Sequence, residues 1–114
     1  MPDKFGDKIR LQHAHDAIET IMAYIRDANF TTFSQNQMLR DACLRQIQVI
    51  GESCRNLSLE IRSKYTDVPW REIIGLRIIV IHEYFGVDEI VVWEIMQNDL
   101  PDFKVRLSEI IETL

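Results

Sequence analysis

A chain of 114 residues is too short for two ordinary domains and long enough for one, and an apolar content of 46% fills a core and excludes a disordered tail. Thirteen Lys and Arg against eighteen Asp and Glu give a formal charge of −5, which excludes nonspecific attraction to a polyanion as a starting assumption. With four Gly and three Pro, and no Pro between Pro2 and Pro69, the expectation is one all-α domain over residues 1–114.

The first predicted helix runs from Asp7 to about Asn29, with Ile18, Ile21, Met22 and Ile25 at i, i+3, i+4 and i+7 and Lys8, Glu19 and Arg26 elsewhere on the wheel. NFTTFS breaks the period, and Ser34 followed by Gln37 has the form of a capping box for a second long helix reaching about Leu57. Leu39, Cys43, Ile47, Ile50, Cys54 and Leu57 form its apolar stripe. Gly51 within it costs about 1 kcal/mol relative to Ala, which a close helix-to-helix approach would explain. Cys43 and Cys54 share a face but lie ~16 Å apart along the axis, beyond disulfide reach, and read as small core residues in a reducing compartment.

Ser58 is placed to cap a short helix through Tyr65, and Asp67-Val68-Pro69 reads as the start signal for WREIIGLRIIVIHEYF. Gly75 divides this segment into two pieces, the second ending near Tyr84, with Gly86 as the stop. Asp88 caps a helix carrying Ile90, Val91, Trp93 and Ile95 that fades at Gln97-Asn98. After Asp99-Leu100-Pro101, Phe103, Leu107, Ile110, Ile111 and Leu114 mark the last helix. Two long antiparallel helices followed by shorter ones describe a helical bundle. The longest apolar run, Ile78 to Ile81, is far below the ~18 residues that span a bilayer, and MPDKFGDKIR has no signal-peptide core, so a soluble cytoplasmic protein is expected.

Chemistry-bearing motifs are few. His13 and His15 point ~200° apart on a helix, no HxxxH or CxxC spacing occurs, and neither a GxSxG elbow nor a Gly-rich phosphate loop is present, so no metal or cofactor is expected. Trp70 and Trp93 lie among Ile and Val, where core packing outweighs base stacking. Arg77-Ile78-Ile79-Val80-Ile81-His82-Glu83-Tyr84 stands out, because a cation opening an apolar run needs a carboxylate, a phosphate or water. Structural partners are at hand: Arg77 can pair with Glu72 or Asp88, His82 can favour a helix C-terminus, and Tyr84 can be a buried ring with a wet hydroxyl.

Arg77, His82 and Tyr84 also form an R-x4-H-x-Y pattern. Ile50-Gly51-Glu52, Val68-Pro69-Trp70-Arg71-Glu72-Ile73-Ile74-Gly75-Leu76-Arg77, His82-Glu83-Tyr84-Phe85-Gly86-Val87-Asp88, Val92-Trp93 and Asp99-Leu100-Pro101 accompany it in order. This ordered set resembles the HepT-like toxins of the HEPN superfamily over nearly the whole chain. The resemblance implies a HEPN-like bundle that forms a two-fold homodimer. It implies a metal-independent endoribonuclease toxin, neutralised by a cognate minimal nucleotidyltransferase antitoxin. It further implies that Arg77 holds the scissile phosphate, that His82 is general acid or base for attack by the ribose 2′-OH, and that Tyr84 receives AMP. Added AMP would bring bulk and like charge to the RNA cleft.

If the helix persists through the motif, Arg77 and Tyr84 fall within ~20° of one another on it, whereas Arg77 and His82 fall ~140° apart. Either the helix ends near His82 or two protomers contribute to one site. The position after the motif arginine, usually polar in the family, is Ile78. Together with the acidic charge, Ile78 motivates an alternative: a non-catalytic partner that binds a nucleotidyltransferase or nucleotide without cleaving RNA. A purely structural helical dimer gives no reason for Arg, His and Tyr to cluster in the most apolar segment. On the catalytic reading, −5 confines RNA to a small groove around His82, with weak and salt-sensitive binding.

Overall fold

The computed structural model describes residues 4–81 and 88–114. In chain order these form α1 (Lys4–Ile25), α2 (Phe30–Gln35), α3 (Gln37–Arg55), α4 (Leu59–Lys64), α5 (Trp70–Ile81), α6 (Glu89–Glu94), a π-helical turn (Ile95–Asp99) and α7 (Leu100–Glu112). No strand occurs among the described residues, so the fold is all-α.

Three apolar seams hold the bundle. Leu11, Ala14, Ile18, Ile21 and Ile25 of α1, Cys43, Ile47, Ile50 and Cys54 of α3, and Leu100, Phe103, Leu107 and Ile110 of α7 are all buried, and each set alternates steps of three and four. That near-3.5 period keeps one seam facing its neighbour along several turns, as in coiled-coil packing. α1 and α3 run antiparallel: Asp7, near the start of α1, accepts hydrogen bonds from the backbone N–H (2.8 Å) and hydroxyl (2.6 Å) of Ser58, just beyond the end of α3. Asp7 is the one buried charged residue among those described, and two donors compensate its desolvation. Ser58 in turn accepts from the Ile61 N–H and caps α4, as its position predicts.

Several boundaries differ from expectation. The first helix spans Lys4–Ile25 rather than Asp7 to about Asn29. Ser34 is not a helix cap: Asn29 caps the short α2 by accepting from the Thr32 N–H (2.8 Å), and Asn36 caps α3 by accepting from the Leu39 N–H (3.0 Å). An Asn carboxamide reaches the N3 amide as well as a hydroxyl does, and Asn36 takes that position directly before α3. Ser34 instead donates to Glu89 (2.6 Å), whose carboxylate also faces Arg40 (3.6 Å), so α2 and α3 are tied to the start of α6.

Asp67 does not cap α5. Its carboxylate takes both a 2.8 Å and a 3.1 Å hydrogen bond from Arg106 of α7, a bidentate contact stronger than a single cap bond. That guanidinium holds the Asp67 carboxyl below its usual range. Asp88 does cap α6, through the Ile90 N–H at 2.9 Å. The stretch after α6 does not fade, because the π-helical turn carries the chain into α7 with Pro101 in its first turn, where a missing N–H is harmless. Val92 and Met96 are the buried residues there, while Ile90 and Val91 are exposed. Trp70 is buried edge-on to Phe103 with its indole N–H on the Tyr65 carbonyl, and Trp93 packs on Phe33, so both tryptophans belong to the core.

α5 crosses α3 at Gly51. A Cβ there would lie 2.9 Å from the Arg77 backbone nitrogen, 3.1 Å from the Arg77 Cβ and 3.2 Å from the Ile74 carbonyl oxygen. The neighbour is backbone, which cannot swing aside. Gly75 does not divide α5, which is continuous from Trp70 to Ile81, and a Cβ at Gly75 would meet nothing within 4 Å. The two glycines therefore give opposite expectations. Gly51→Ala should destabilise the protein by about 1–3 kcal/mol through overpacking. Gly75→Ala should stabilise it by about 0.5–1 kcal/mol through helix propensity. Urea unfolding of both variants checks the contrast, and equal effects would contradict the close crossing.

Candidate active site

The crossing decides what Arg77 can touch. With its backbone against Gly51, its side chain emerges at the edge of the α3–α5 interface beside the next residue of α3, Glu52. Arg77 Nη1 lies 3.7 Å from one Glu52 oxygen, and Arg55 Nη1 lies 3.7 Å from the other. The pairing with Glu72 or Asp88 expected from sequence is replaced by this one, because Gly51 brings Glu52 alongside. Residue 52, flanking a close-approach glycine, carried the signal that would have found it.

Two features set what the Arg77 guanidinium can hold. Its one carboxylate is shared with a second arginine at a separation longer than a hydrogen bond, and its Nε is buried with no hydrogen-bond partner among the described residues. The Nε is closed to solvent, so an anion arriving at this head group would take its charge-assisted hydrogen bonds from the Nη groups. The side chain is 31% exposed, enough for such an anion to reach it. Ile78 is 46% exposed at the next position. His82 and Tyr84 lie outside the described residues.

Two hollows lie elsewhere. A cleft of about 370 Å³ between the start of α5 and α7 has an apolar floor that includes Ile73, Leu76 and Phe103 and a rim of Asp67, Glu72, Asp99 and Asp102. Its one cation, Arg106, is already committed to Asp67, so it does not suit a polyanion. A second groove, of about 390 Å³, runs between α1 and the end of α3 and includes Arg10, His13 and Glu52. As for metals, His15, Asp16 and Glu19 place three ligand atoms within 4.8 Å of one another. Those carboxylates already have partners, Gln12 on Asp16 (2.9 Å) and Lys104 on Glu19 (3.3 Å).

Comparison with known proteins gives a consistent result. Residues 14–110 match the family model described as ribonuclease HepT-like. A protein of Methanocaldococcus jannaschii named "Gamma-glutamylcyclotransferase and putative RNase" is 40% identical over 107 residues, covering 94% of this chain and 48% of that protein. The chain thus spans about half the length of that relative. A second protein of the same organism, named "Putative RNase", is 40% identical over 98 residues, 86% of each chain. One from Thermococcus cleftensis, named "Probable ribonuclease HepT", is 31% identical over 107 residues, 94% of this chain and 97% of its own. No solved structure matches.

The two cysteines are free and fully buried, and burial raises the thiol of Cys43 to about 11 and that of Cys54 to about 12. Neither is a nucleophile near neutral pH. Because the folded state holds these protons more tightly than the unfolded chain, their contribution to stability is full below about pH 9 and is lost as pH rises towards 11 to 12. A thiol reagent at pH 8 should therefore label both only at the rate of unfolding, and burst labelling of the native protein would contradict their burial.

Proposed function

This chain belongs to the ribonuclease HepT-like family, and we propose that it is a metal-independent endoribonuclease whose phosphate-binding residue is Arg77. The observation that carries the reading is the state of that guanidinium: part-exposed, and facing one carboxylate at 3.7 Å that is already divided between two arginines. A phosphodiester within hydrogen-bond distance would hold it more firmly than Glu52 does at 3.7 Å, and contact with the non-bridging oxygens would stabilise charge on the pentacoordinate transition state.

The ribose 2′-oxygen attacks phosphorus and its proton leaves to a general base. The bond to the 5′-oxygen breaks, and that oxygen takes a proton from the conjugate acid. The products are a 2′,3′-cyclic phosphate and a 5′-hydroxyl. His82 is the residue proposed to move the proton, since the ordinary imidazole pKa near 6.5 suits both directions of transfer. The 46% exposure of Ile78 favours a two-fold homodimer in which Ile78 packs between protomers and both contribute to one site.

Neutralisation is proposed to act at Tyr84 of the same motif. A minimal nucleotidyltransferase antitoxin would transfer AMP from a nucleoside triphosphate to the Tyr84 hydroxyl, with pyrophosphate leaving. The added negative charge at the cleft would repel RNA. No described helix is long and apolar enough to cross a membrane, and on the toxin reading the chain would meet its RNA in the cytoplasm. Exposed Ile78, where the family usually has a polar residue, favours a second reading in which the domain binds its nucleotidyltransferase or a nucleotide without cleaving RNA.

Incubation of the purified chain with single-stranded RNA in the presence of a chelator separates the two. The parent should cleave, and Arg77→Ala and His82→Ala should each lower the rate by about 10²–10³-fold with an unchanged melting temperature. Intact RNA with the parent chain would leave the non-catalytic reading in its place.

A further inference from the structure

The groove between α1 and the end of α3 has no part in the chemistry above, yet it begins at the carboxylate that touches Arg77. Arg10 and His13 are three residues apart and so share a face of α1, which they present to the groove across from Glu52, Ser53 and Asn56. Arg10 is half-buried and has no carboxylate or hydrogen-bond partner among the described residues, whereas Arg40, Arg77 and Arg106 each have one. None of its nitrogens is a buried donor without a partner, so the head group is open at the groove and uncommitted, and an anion there would gain charge-assisted hydrogen bonds.

The remaining lining is that of a nucleotide site. Asn56 donates its Nδ2 to the Glu52 carbonyl at 2.9 Å, which fixes the carboxamide and leaves its oxygen free to accept. Ser53 adds a hydroxyl, and Ile9, 40% exposed, adds an apolar surface at the wall. A volume of about 390 Å³ accommodates one nucleotide unit and not a folded partner.

We propose that this groove is a subsite for the nucleotide adjacent to the phosphodiester held by Arg77, with Arg10 and His13 on its phosphate and Ser53 and Asn56 on its base or ribose. The proposal rests on the ribonuclease reading and deepens it: Arg10 is a binding and positioning residue for longer RNA. Glu52 stands between the two cationic sites, so successive phosphates of one strand can pass from Arg10 to Arg77 around a single carboxylate.

The test uses the full chain and a labelled 2′-O-methyl hexanucleotide, which lacks the attacking hydroxyl and reports binding alone, beside cleavage of the same sequence as RNA. Arg10→Ala and Arg10→Gln, the second keeping much of the apolar stem, should weaken hexanucleotide binding about tenfold and raise KM with kcat unchanged. Arg26→Ala, the same charge change at an exposed residue after α1, should change affinity less than twofold. The salt dependence of binding should fall by about one phosphate contact in the Arg10 variants only. Cleavage by the parent with affinity and KM unmoved in both Arg10 variants would overturn the subsite while the ribonuclease reading stands. Arg10-dependent binding without cleavage would remove the ribonuclease reading and leave the subsite. Failure of the parent to bind would remove both. Free AMP forms the last arm: Arg10-dependent binding of AMP with hexanucleotide binding unchanged would make the groove a free-nucleotide site and overturn the proposal.

Discussion

The backbone contact between α3 and α5 governs most of what this chain can do. Only a hydrogen at Gly51 allows the Arg77 nitrogen to come as near as it does, since a Cβ would stand 2.9 Å from it. Helices that meet at backbone distance leave no room for a long side chain between them, so Arg77 is turned out along the edge of the interface. There the neighbouring residue of α3, Glu52, meets it. The heptad-like seams of α1, α3 and α7 supply the frame against which this crossing is held, and buried side chains at native packing density resist the small shifts that would open it. A position fixed by backbone contact is also preorganised: the guanidinium does not have to be gathered from solution when an anion arrives.

Charge distribution explains how an acidic chain can present an anion site. The formal −5 is not spread evenly. Asp67, Glu72, Asp99 and Asp102 surround the cleft between α5 and α7, whereas Arg77, Arg10, Arg55 and His13 gather around Glu52. Local sign, not the total, sets the potential at the site, and the total limits the footprint to a few contacts. Glu52 serves both ends of this arrangement. It offsets part of the repulsion among the cations when nothing is bound, yet at 3.7 Å from each arginine it holds neither strongly. Exposed pairs of this length add little stability, so displacing the carboxylate costs little.

Much of the frame was legible in the sequence because it depends on periodicity. Apolar steps of three and four located α1, α3 and α7, and the isolated Gly51 in a strong helical pattern announced a close approach. Features that depend on tertiary geometry were not legible. Ser34 and Asn36 are both credible caps, and Asn36 takes the role because it directly precedes α3 while Ser34 finds Glu89, 55 residues away. Gly75 looked like a break, but a single glycine inside a helix packed along its length costs too little to end it. Arg77 and Glu52 are 25 positions apart, and no local spacing rule connects them. Asp7 and the Arg10 groove were missed for the same reason: each acquires its meaning from the end of α3 folding back against α1.

The account stands or falls on whether the Arg77 guanidinium receives a phosphodiester. The most direct measurement is the nitrogen-proton resonance of Arg77 Nε, assigned by its loss in Arg77→Lys and followed while a non-cleavable single-stranded oligonucleotide is added. The head group has a distant, shared carboxylate and its charge is delocalised over all three nitrogens, so phosphate held at the Nη groups should shift the Nε resonance progressively until it saturates with the bound fraction. An oligonucleotide that binds while this resonance stays in place would contradict the assignment of Arg77 as the phosphate-holding residue.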